Sequence, residues 1–276
     1  MKFKSIFILF SATLILFMAI LVLMPLFLLG PSFSGSFWQN NWPLMAVLII
    51  LFFAFNIYYF TNRRLFLLLE KEDWPALVRY LEDRVIQRGH YKSRLVRLLA
   101  NSYLVLSDST AVMNLENKVS AARVSLVNAN ALVFGTARIL GKDISGAVRF
   151  FGARKEAVKP GLREWVGWYH GFALLLNRQY DEAGAEFSLL AGHSKDGVIV
   201  GLSSYFLLRL VAPALPEKGY QFREIAAGGK ERVLKALPRP KDWNREVSRL
   251  SLEIHAAAIS KYMDESSRWL YEGRES

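Results

Sequence analysis

Two long stretches without a charged side chain, residues 5–29 and 43–60, constrain this chain more than any other feature. A run of about 20 apolar residues is long enough to cross the hydrocarbon core of a bilayer. Backbone N–H and C=O groups find no water there, so each run is predicted to form a helix that satisfies them internally. We therefore expect a transmembrane hairpin: a first membrane helix within residues 1–30, a short loop at 31–42 and a second membrane helix at 43–62.

The charges that flank the two runs predict their orientation. Lys2 and Lys4 precede the first run, Arg63 and Arg64 follow the second, and the segment between the runs has no positive charge. Because positively charged flanks stay in the cytoplasm, we expect both termini there and the 31–42 loop on the other side. A cleaved signal peptide is the alternative, but its apolar core is usually about 7–15 residues, shorter than the first run. The compact chain and its lack of a targeting motif favour a bacterial inner membrane.

Composition restricts the classes of partner and of chemistry. The chain has 35 Lys and Arg against 24 Asp and Glu, a net charge of +11. A basic domain at a membrane surface is attracted to anionic lipid, so contact with lipid headgroups is one expectation. The basic residues are scattered and accompany no nucleic-acid-binding motif, so nucleic acid is not an expected partner. The absence of cysteine excludes disulfides and thiolate chemistry.

An internal repeat follows the membrane segments. Segment 131–157 aligns with segment 167–193 at an offset of 36 residues. The superposed pairs are Gly135 with Gly171, Ile144 with Tyr180, Ala147 with Ala183, and Phe151 with Phe187. Small residues allow two helices to approach closely and the larger ones fill the space between repeats, which predicts a helix–turn–helix repeat.

These residues resemble the tetratricopeptide family, whose unit of about 34 residues carries a small residue in helix A and an aromatic, an Ala and an aromatic in helix B. Neither copy has the family's terminal proline. The resemblance implies that helix A lines a concave partner-binding groove, which would place Trp165, Trp168 and Phe172 there. Two membrane helices followed by such repeats are also similar to the N-terminal region of the HemY family.

The remaining segments are consistent with helices. Residues 66–87 and 91–118 are interpreted as further helix pairs, and 197–212 as an apolar helix buried between neighbours. A long amphipathic helix from about residue 244 to 271 is expected to cap the open end of the array. No strand-like alternation has a useful length, so residues 63–276 are predicted to form a cytoplasmic, all-α, tetratricopeptide-like domain.

Sequence signals for catalysis or metal binding are sparse. The nucleotide-binding, zinc-protease and serine-hydrolase motifs are absent, and Gly228-Gly229-Lys230 is only a fragment of a phosphate loop, best interpreted as a surface loop. The histidines are far apart in sequence; they are His90, His170, His193 and His255. We expect no catalytic, cofactor-binding or metal-binding residue.

The expected function is therefore a membrane-anchored scaffold that recruits protein partners through the groove, without catalysis and without a small-molecule substrate. One alternative is a small membrane enzyme or transporter accessory subunit with a site at the membrane junction. Its nearby acidic residues, Glu70, Glu72 and Asp73, fit the solvated start of a helix better. The other alternative is a peripheral domain that binds anionic lipid through its basic surface.

Overall fold

A computed structural model describes residues 3–250 and 254–272, and every regular element within these ranges is helical. The predicted all-α class is confirmed for this part of the chain. Lys2 and residues 251–253 of the expected final helix lie outside the described residues. The chain divides into two units, residues 1–80 and 81–276, which we describe separately.

The first unit contains an antiparallel pair of apolar helices, α1 (Phe3–Leu29) and α2 (Pro31–Glu70). Near one end of the pair, the Phe7 ring stacks on the Tyr59 ring with 3.5 Å between centroids. Nearer the other end, Trp38 Nε1 donates a hydrogen bond to the Val22 carbonyl at 3.4 Å. The predicted hairpin is therefore present as a helix pair.

The expected loop at 31–42 is wrong, because helix α2 already begins at Pro31. Gly30 alone separates the two helices, with φ of 83°. Proline suits the first position of a helix, where its missing N–H costs nothing. Asn41 departs from helical geometry (φ −114°, ψ 18°) shortly before Pro43, which cannot donate to the helical ladder and bends the helix. The second apolar helix also continues beyond residue 62, to Glu70.

Within the described parts of the chain, three helical segments are long and apolar enough to cross a membrane: Ser5–Leu28, Ser34–Glu70 and Gly197–Ala214. The first two leave large apolar side chains exposed, such as Phe27 at 78%. An apolar surface of this extent is unusual on a soluble monomer. The third segment is 61% buried and packs inside the second unit. The two N-terminal helices could therefore span a membrane, whereas the third supplies core packing.

The second unit is a succession of packed helices. Helix α3 (Trp74–Glu82) begins in the first unit and, within the second, continues as a π-helical turn at Asp83–Gln87. A second π-helical turn at Leu207–Val211 joins α11 to α12. The other helices are α4 (Ser93–Val105), α5 (Ser109–Ala122), α6 (Val124–Ala129), α7 (Ala131–Leu140), α8 (Ile144–Arg154), α9 (Pro160–Leu176), α10 (Tyr180–His193), α11 (Gly197–Phe206), α12 (Ala212–Ala214), α13 (Gly219–Ala236), α14 (Pro240–Leu250), α15 (Ile254–Ala257) and α16 (Ser260–Tyr271). Neighbouring helices pack in pairs, α4 with α5, α7 with α8, α9 with α10 and α11 with α13.

Four turns in the chain have the same hydrogen-bond pattern. In the turn before α8, the Lys142 N–H donates to the Ile139 carbonyl and the Asp143 N–H to the Arg138 carbonyl, the pattern of a Schellman motif. The residue in the left-handed conformation recurs every 35 or 36 residues; the four are Glu72, Ser107, Lys142 and Arg178, with φ of 52°, 59°, 62° and 62°. The chain therefore repeats one turn geometry from the end of α2 to the start of α10.

An aspartate follows the left-handed residue in three of these turns and starts the next helix. Asp73, Asp108 and Asp143 each accept a hydrogen bond from the backbone N–H three residues on, at 2.9–3.1 Å. Such caps satisfy a donor that the helix itself leaves unpaired. Of the three acidic residues Glu70, Glu72 and Asp73, Asp73 therefore caps the helix that follows it.

The C-terminal segment, α14 to α16, does not form one long helix that caps the open end of the stack. It consists of short helices packed against α7, α9 and α11. The Trp243 ring lies where a Cβ on Gly201 would stand, 2.6 Å away at its nearest atom. A glycine in α11 is therefore what allows this indole to pack so closely.

Candidate functional site

The two repeat copies make the same glycine–phenylalanine contact. A Cβ on Gly135 would lie 2.0 Å from the Phe151 ring, and a Cβ on Gly171 would lie 3.0 Å from the Phe187 ring. Both rings are fully buried. These pairs join α7 to α8 and α9 to α10, so one packing arrangement occurs twice at the 36-residue offset.

The other aligned residues occupy equivalent positions in the two pairs. Ile144 and Tyr180 are the partly buried first residues of α8 and α10. Ala147 and Ala183 are completely buried one turn later. All eight aligned residues thus serve packing within the helix pairs.

The inner face, which we define as the surface of α7, α9 and α11 beneath the C-terminal segment, is not an open groove. Trp165, Trp168 and Phe172 lie on α9 and are only 7%, 0% and 7% exposed. Trp165 packs on His255 and Phe172 on Tyr262, with ring centroids 5.9 and 5.8 Å apart. Trp165 and Phe172 are therefore covered by the protein's own C-terminal segment, and Trp168 is buried against Phe187 of α10 and Phe206 of α11.

One polar contact is buried within this apolar packing. The Tyr169 hydroxyl donates to the His255 carbonyl at 2.7 Å and lies 3.2 Å from His255 Nδ1. Burial, reinforced by the positive charge of Arg97, lowers the pKa of His255 to about 4. Burial likewise raises the pKa of Tyr169. Both side chains are therefore neutral near pH 7, and they join α9 to the C-terminal segment without a buried charge.

Two carboxylates, one buried and one half-buried, pair with cations from neighbouring helices. Glu116 of α5 accepts from Arg138 and lies 3.5 Å from Arg154 Nη2. Both guanidinium groups also stack on the Phe150 ring, at 4.7 and 3.9 Å from its centroid. Burial and the neighbouring Arg138 hold the pKa of Arg154 below its usual value.

The second carboxylate is Glu186 of α10, which pairs with Lys155 and lies 3.2 Å from His170 Nδ1. Burial raises its pKa, but the hydrogen bonds from His170 and Lys155 outweigh burial and hold it below the usual range. The two clusters link α5 to α7 and α8, and α8 to α9 and α10. Each cluster keeps one buried polar atom without a hydrogen-bond partner among the described residues, Arg154 Nε in the first and Glu186 Oε2 in the second. The ion pairs otherwise hold neighbouring helices together, as expected of structural contacts.

A line of exposed apolar residues follows the repeated turns. We call it the turn edge; it comprises Val105, Leu106, Leu140 and Leu176, exposed by 44%, 43%, 49% and 41%. Val105, Leu140 and Leu176 each stand two residues before a left-handed residue. Ser145 Oγ donates to Asn177 Oδ1 at 3.4 Å, and a Cβ on Gly141 would lie 3.1 Å from Ser109 Cβ, so consecutive turns touch. The turn edge therefore forms a ridge along neighbouring turns that contact one another.

The fragment of a phosphate loop is not a surface loop as expected. Gly228-Gly229-Lys230 lies inside α13, where Gly229 abuts Ser204 of α11 and Lys230 Nζ donates to the Trp269 carbonyl at 2.7 Å. The histidines remain apart, and the described residues contain no group of three or more side chains suited to a metal ion.

The recurrence of the turns was missed from the sequence, although a signal was present. Asp73, Asp108 and Asp143 recur at intervals of 35 residues, each after a residue that adopts positive φ. A search for equally spaced helix-capping residues would have located the three turns that are followed by a capping aspartate. Coverage of the inner face has no comparable signal, because it depends on contacts between segments distant in sequence.

These features define an all-helical protein in which two N-terminal helices could span a membrane and the remaining helices pack in pairs. The chain belongs to the family described as "Uncharacterised Treponema protein", whose model matches residues 111–272. It is also 28% identical, over 288 residues, to an "Uncharacterized protein" of Treponema pallidum (strain Nichols), with 98% of this chain and 88% of that protein covered. No solved structure matches the chain.

Proposed function

We propose that the protein is a membrane-anchored scaffold that recruits or organises protein partners at the cytoplasmic face of a bacterial inner membrane, without catalysis. The observation that carries this proposal is the continuity of α2. From Pro43 the helix runs through its apolar stretch to Glu70, where it ends in the first of the four like turns. A membrane segment and the first helix of a repeated arrangement are therefore the same helix. The bacterial relative supports the choice of membrane.

The interpretation of the helix pairs as a degenerate tetratricopeptide-like array is part of the proposal. Its support is the glycine–phenylalanine contact that recurs at 36 residues and the turn that recurs at 35 or 36 residues. The similarity to the N-terminal region of the HemY family concerns architecture alone, and no haem chemistry is proposed.

The partner is proposed to bind the turn edge in place of the covered inner face. Support comes from its four exposed aliphatic side chains, three of which, Val105, Leu140 and Leu176, stand at corresponding positions in neighbouring turns. A row of exposed apolar residues is more typical of an interaction surface than single exposed residues scattered over a protein.

Membrane topology can be tested with single cysteines, because the natural chain contains none. Ser36→Cys and Thr110→Cys both replace exposed side chains. In cells with a permeabilised outer membrane and an intact inner membrane, an impermeant maleimide should label Ser36→Cys. It should reach Thr110→Cys only after the cells are lysed. Labelling of both before lysis, or release of the protein by alkaline carbonate, contradicts the proposed anchor.

Partner recruitment can be tested by placing a photo-crosslinking amino acid at Leu140 and identifying captured proteins by mass spectrometry. A genuine partner should be lost when Leu176→Glu is added, because the charge interrupts the ridge one repeat away. Leu189→Glu is the matched control, since Leu189 is 50% exposed on α10 and lies outside the turn edge. Equal capture in all variants argues against the turn edge, and a turnover activity retained without any partner favours the enzyme alternative.

A further inference from the structure

An apolar groove lies between the two N-terminal helices, entirely within the first unit. Its volume is about 340 Å³ and it is lined by Ile6, Phe7, Phe10, Phe55, Tyr58, Tyr59 and Phe66, which we call the aromatic groove. The rings pack on one another, with Phe10 and Phe55 centroids 4.5 Å apart and Tyr59 and Phe66 centroids 6.1 Å apart. Phe10 and Tyr58 are 47% and 58% exposed, so the groove opens on the outer surface of the hairpin.

A cation stands beside one end of the aromatic groove. Arg63 follows Tyr59 by four residues and precedes Phe66 by three, and these spacings place the three side chains on one face of α2. Arg63 is exposed and has no ion-pair partner among the described residues. Arg64 is also exposed and stacks on the Tyr80 ring at 5.4 Å.

The helix pair contains no acidic residue before Glu70, the last residue of α2. The sequence has no Asp or Glu before Glu70, whereas Lys2, Lys4, Arg63 and Arg64 all precede it. The aromatic groove ends beside the positive charge of Arg63. This arrangement matches the two parts of an amphiphile, an apolar chain and an anionic headgroup. Basic pockets next to membrane helices on the cytoplasmic side bind anionic headgroups for the same reason.

We propose that the aromatic groove binds one acyl chain of an anionic glycerophospholipid, whose phosphate is held by Arg63. The acyl chain extends from Arg63 towards Phe55 and Phe10, and so from the membrane interface into the hydrocarbon. Tyr58 and Tyr59 lie at the headgroup level, where amphipathic rings are favoured. This site rests on the proposed membrane anchor, because the groove meets lipid only if the hairpin is inserted.

The test compares lipids retained by the full chain. Protein reconstituted with equal amounts of phosphatidylglycerol and phosphatidylcholine is released into detergent, and native mass spectrometry counts the bound lipid. We expect phosphatidylglycerol to be retained over phosphatidylcholine, and Arg63→Gln to reduce this preference about fivefold, the effect of losing about 1 kcal/mol for one cation near the leaflet. Arg79→Gln is the matched control, because Arg79 is an exposed arginine on α3; it should keep the preference.

A second variant separates the two halves of the site. Phe10→Ala removes part of the groove wall and should reduce retention of both lipids alike, since it removes contacts to the acyl chain and leaves the cation. Equal retention of the two lipids by the natural chain, or an equal loss of preference in Arg63→Gln and Arg79→Gln, overturns the site. Extraction of the protein by alkaline carbonate overturns the anchor as well, whereas membrane-retained protein without lipid preference overturns this site alone.

Discussion

Single glycines determine how closely neighbouring helices approach one another. Gly135 and Gly171 allow phenylalanine rings to occupy the space that a Cβ would need, and Gly201 does the same for Trp243. The first two were predictable, because the repeat aligned each glycine with its twin. The third was not, because Trp243 lies 42 residues along the chain and no repeat links it to Gly201.

Gly135→Ala should therefore destabilise the protein by about 1–3 kcal/mol, because the added methyl displaces a buried ring. The measurement is the urea midpoint of the full chain in detergent. Gly161→Ala is the control: a Cβ there meets nothing within 4 Å, and alanine favours a helix by about 0.5–1 kcal/mol. Equal effects of the two substitutions would show that the Gly135 contact is unimportant.

His255 gives the stability a predictable pH dependence. Its pKa falls from about 6.5 in the unfolded chain to about 4 in the folded protein, because it is buried and faces Arg97. Between these values the unfolded chain binds a proton that the folded protein does not. The contribution is fully present above pH 6.5 and is lost as the pH falls through about 4, by about 3 kcal/mol in total.

We therefore expect His255→Gln to flatten the decline in unfolding free energy between pH 6.5 and 4.5. The exposed His193, at the end of α10, provides the comparison. His193→Gln should retain the natural slope. A His255→Gln slope that matches the natural chain would mean that folding does not lower the pKa of this histidine.

At the scale of elements, the turn is the repeated unit that the sequence encodes most regularly. Each turn places a non-glycine residue at positive φ, a conformation in which L-residues are strained by about 1–2 kcal/mol. Sequence reasoning found the helices through their apolar spacing and misjudged 31–42, because the stretch between the two apolar runs was interpreted as a loop. In the structure the first proline starts a helix and the second only bends it.

The same substitution should have opposite effects in a turn and in a helix. Lys142→Gly should stabilise the protein by about 1 kcal/mol, because it relieves the strain at φ 62°. Lys118→Gly, at an exposed position within α5, should destabilise it by a similar amount. Thermal unfolding of the full chain in detergent distinguishes the two, and destabilisation by both would show that Lys142 makes a contact that outweighs the strain.

For the whole molecule, the C-terminal segment occupies the inner face, the surface that the tetratricopeptide resemblance assigned to a partner. The sequence predicted the amphipathic character of residues 244–271 but not their destination, because a helix with one apolar face can cap a stack or cover its inner face equally well. The third apolar helix shows the same ambiguity: Gly197–Ala214 has the length of a membrane span, yet its partners in α10, α13 and α16 bury it.

Deletion of residues 240–276 should uncover the inner face. We expect amide hydrogen exchange in α9 and α11 to accelerate by at least tenfold, which corresponds to about 1.4 kcal/mol of lost local stability, while α5 changes little. The measurement is hydrogen exchange of the full chain and the deletion variant in the same nanodiscs. Unchanged protection of α9 would mean that the C-terminal segment contributes little to its stability.

The regular helical course of α2 from Pro43 to Glu70 has a mechanical consequence. Ten residues separate Phe60 from Glu70, so the first turn stands about 15 Å beyond the last apolar residue of the predicted span. With no flexible joint between them, the helix acts as a lever. A tilt of about 20°, ordinary for a membrane helix, shifts that turn sideways by roughly 5 Å. In a hairpin that spans the membrane as proposed, bilayer thickness would then set the sideways position of that turn.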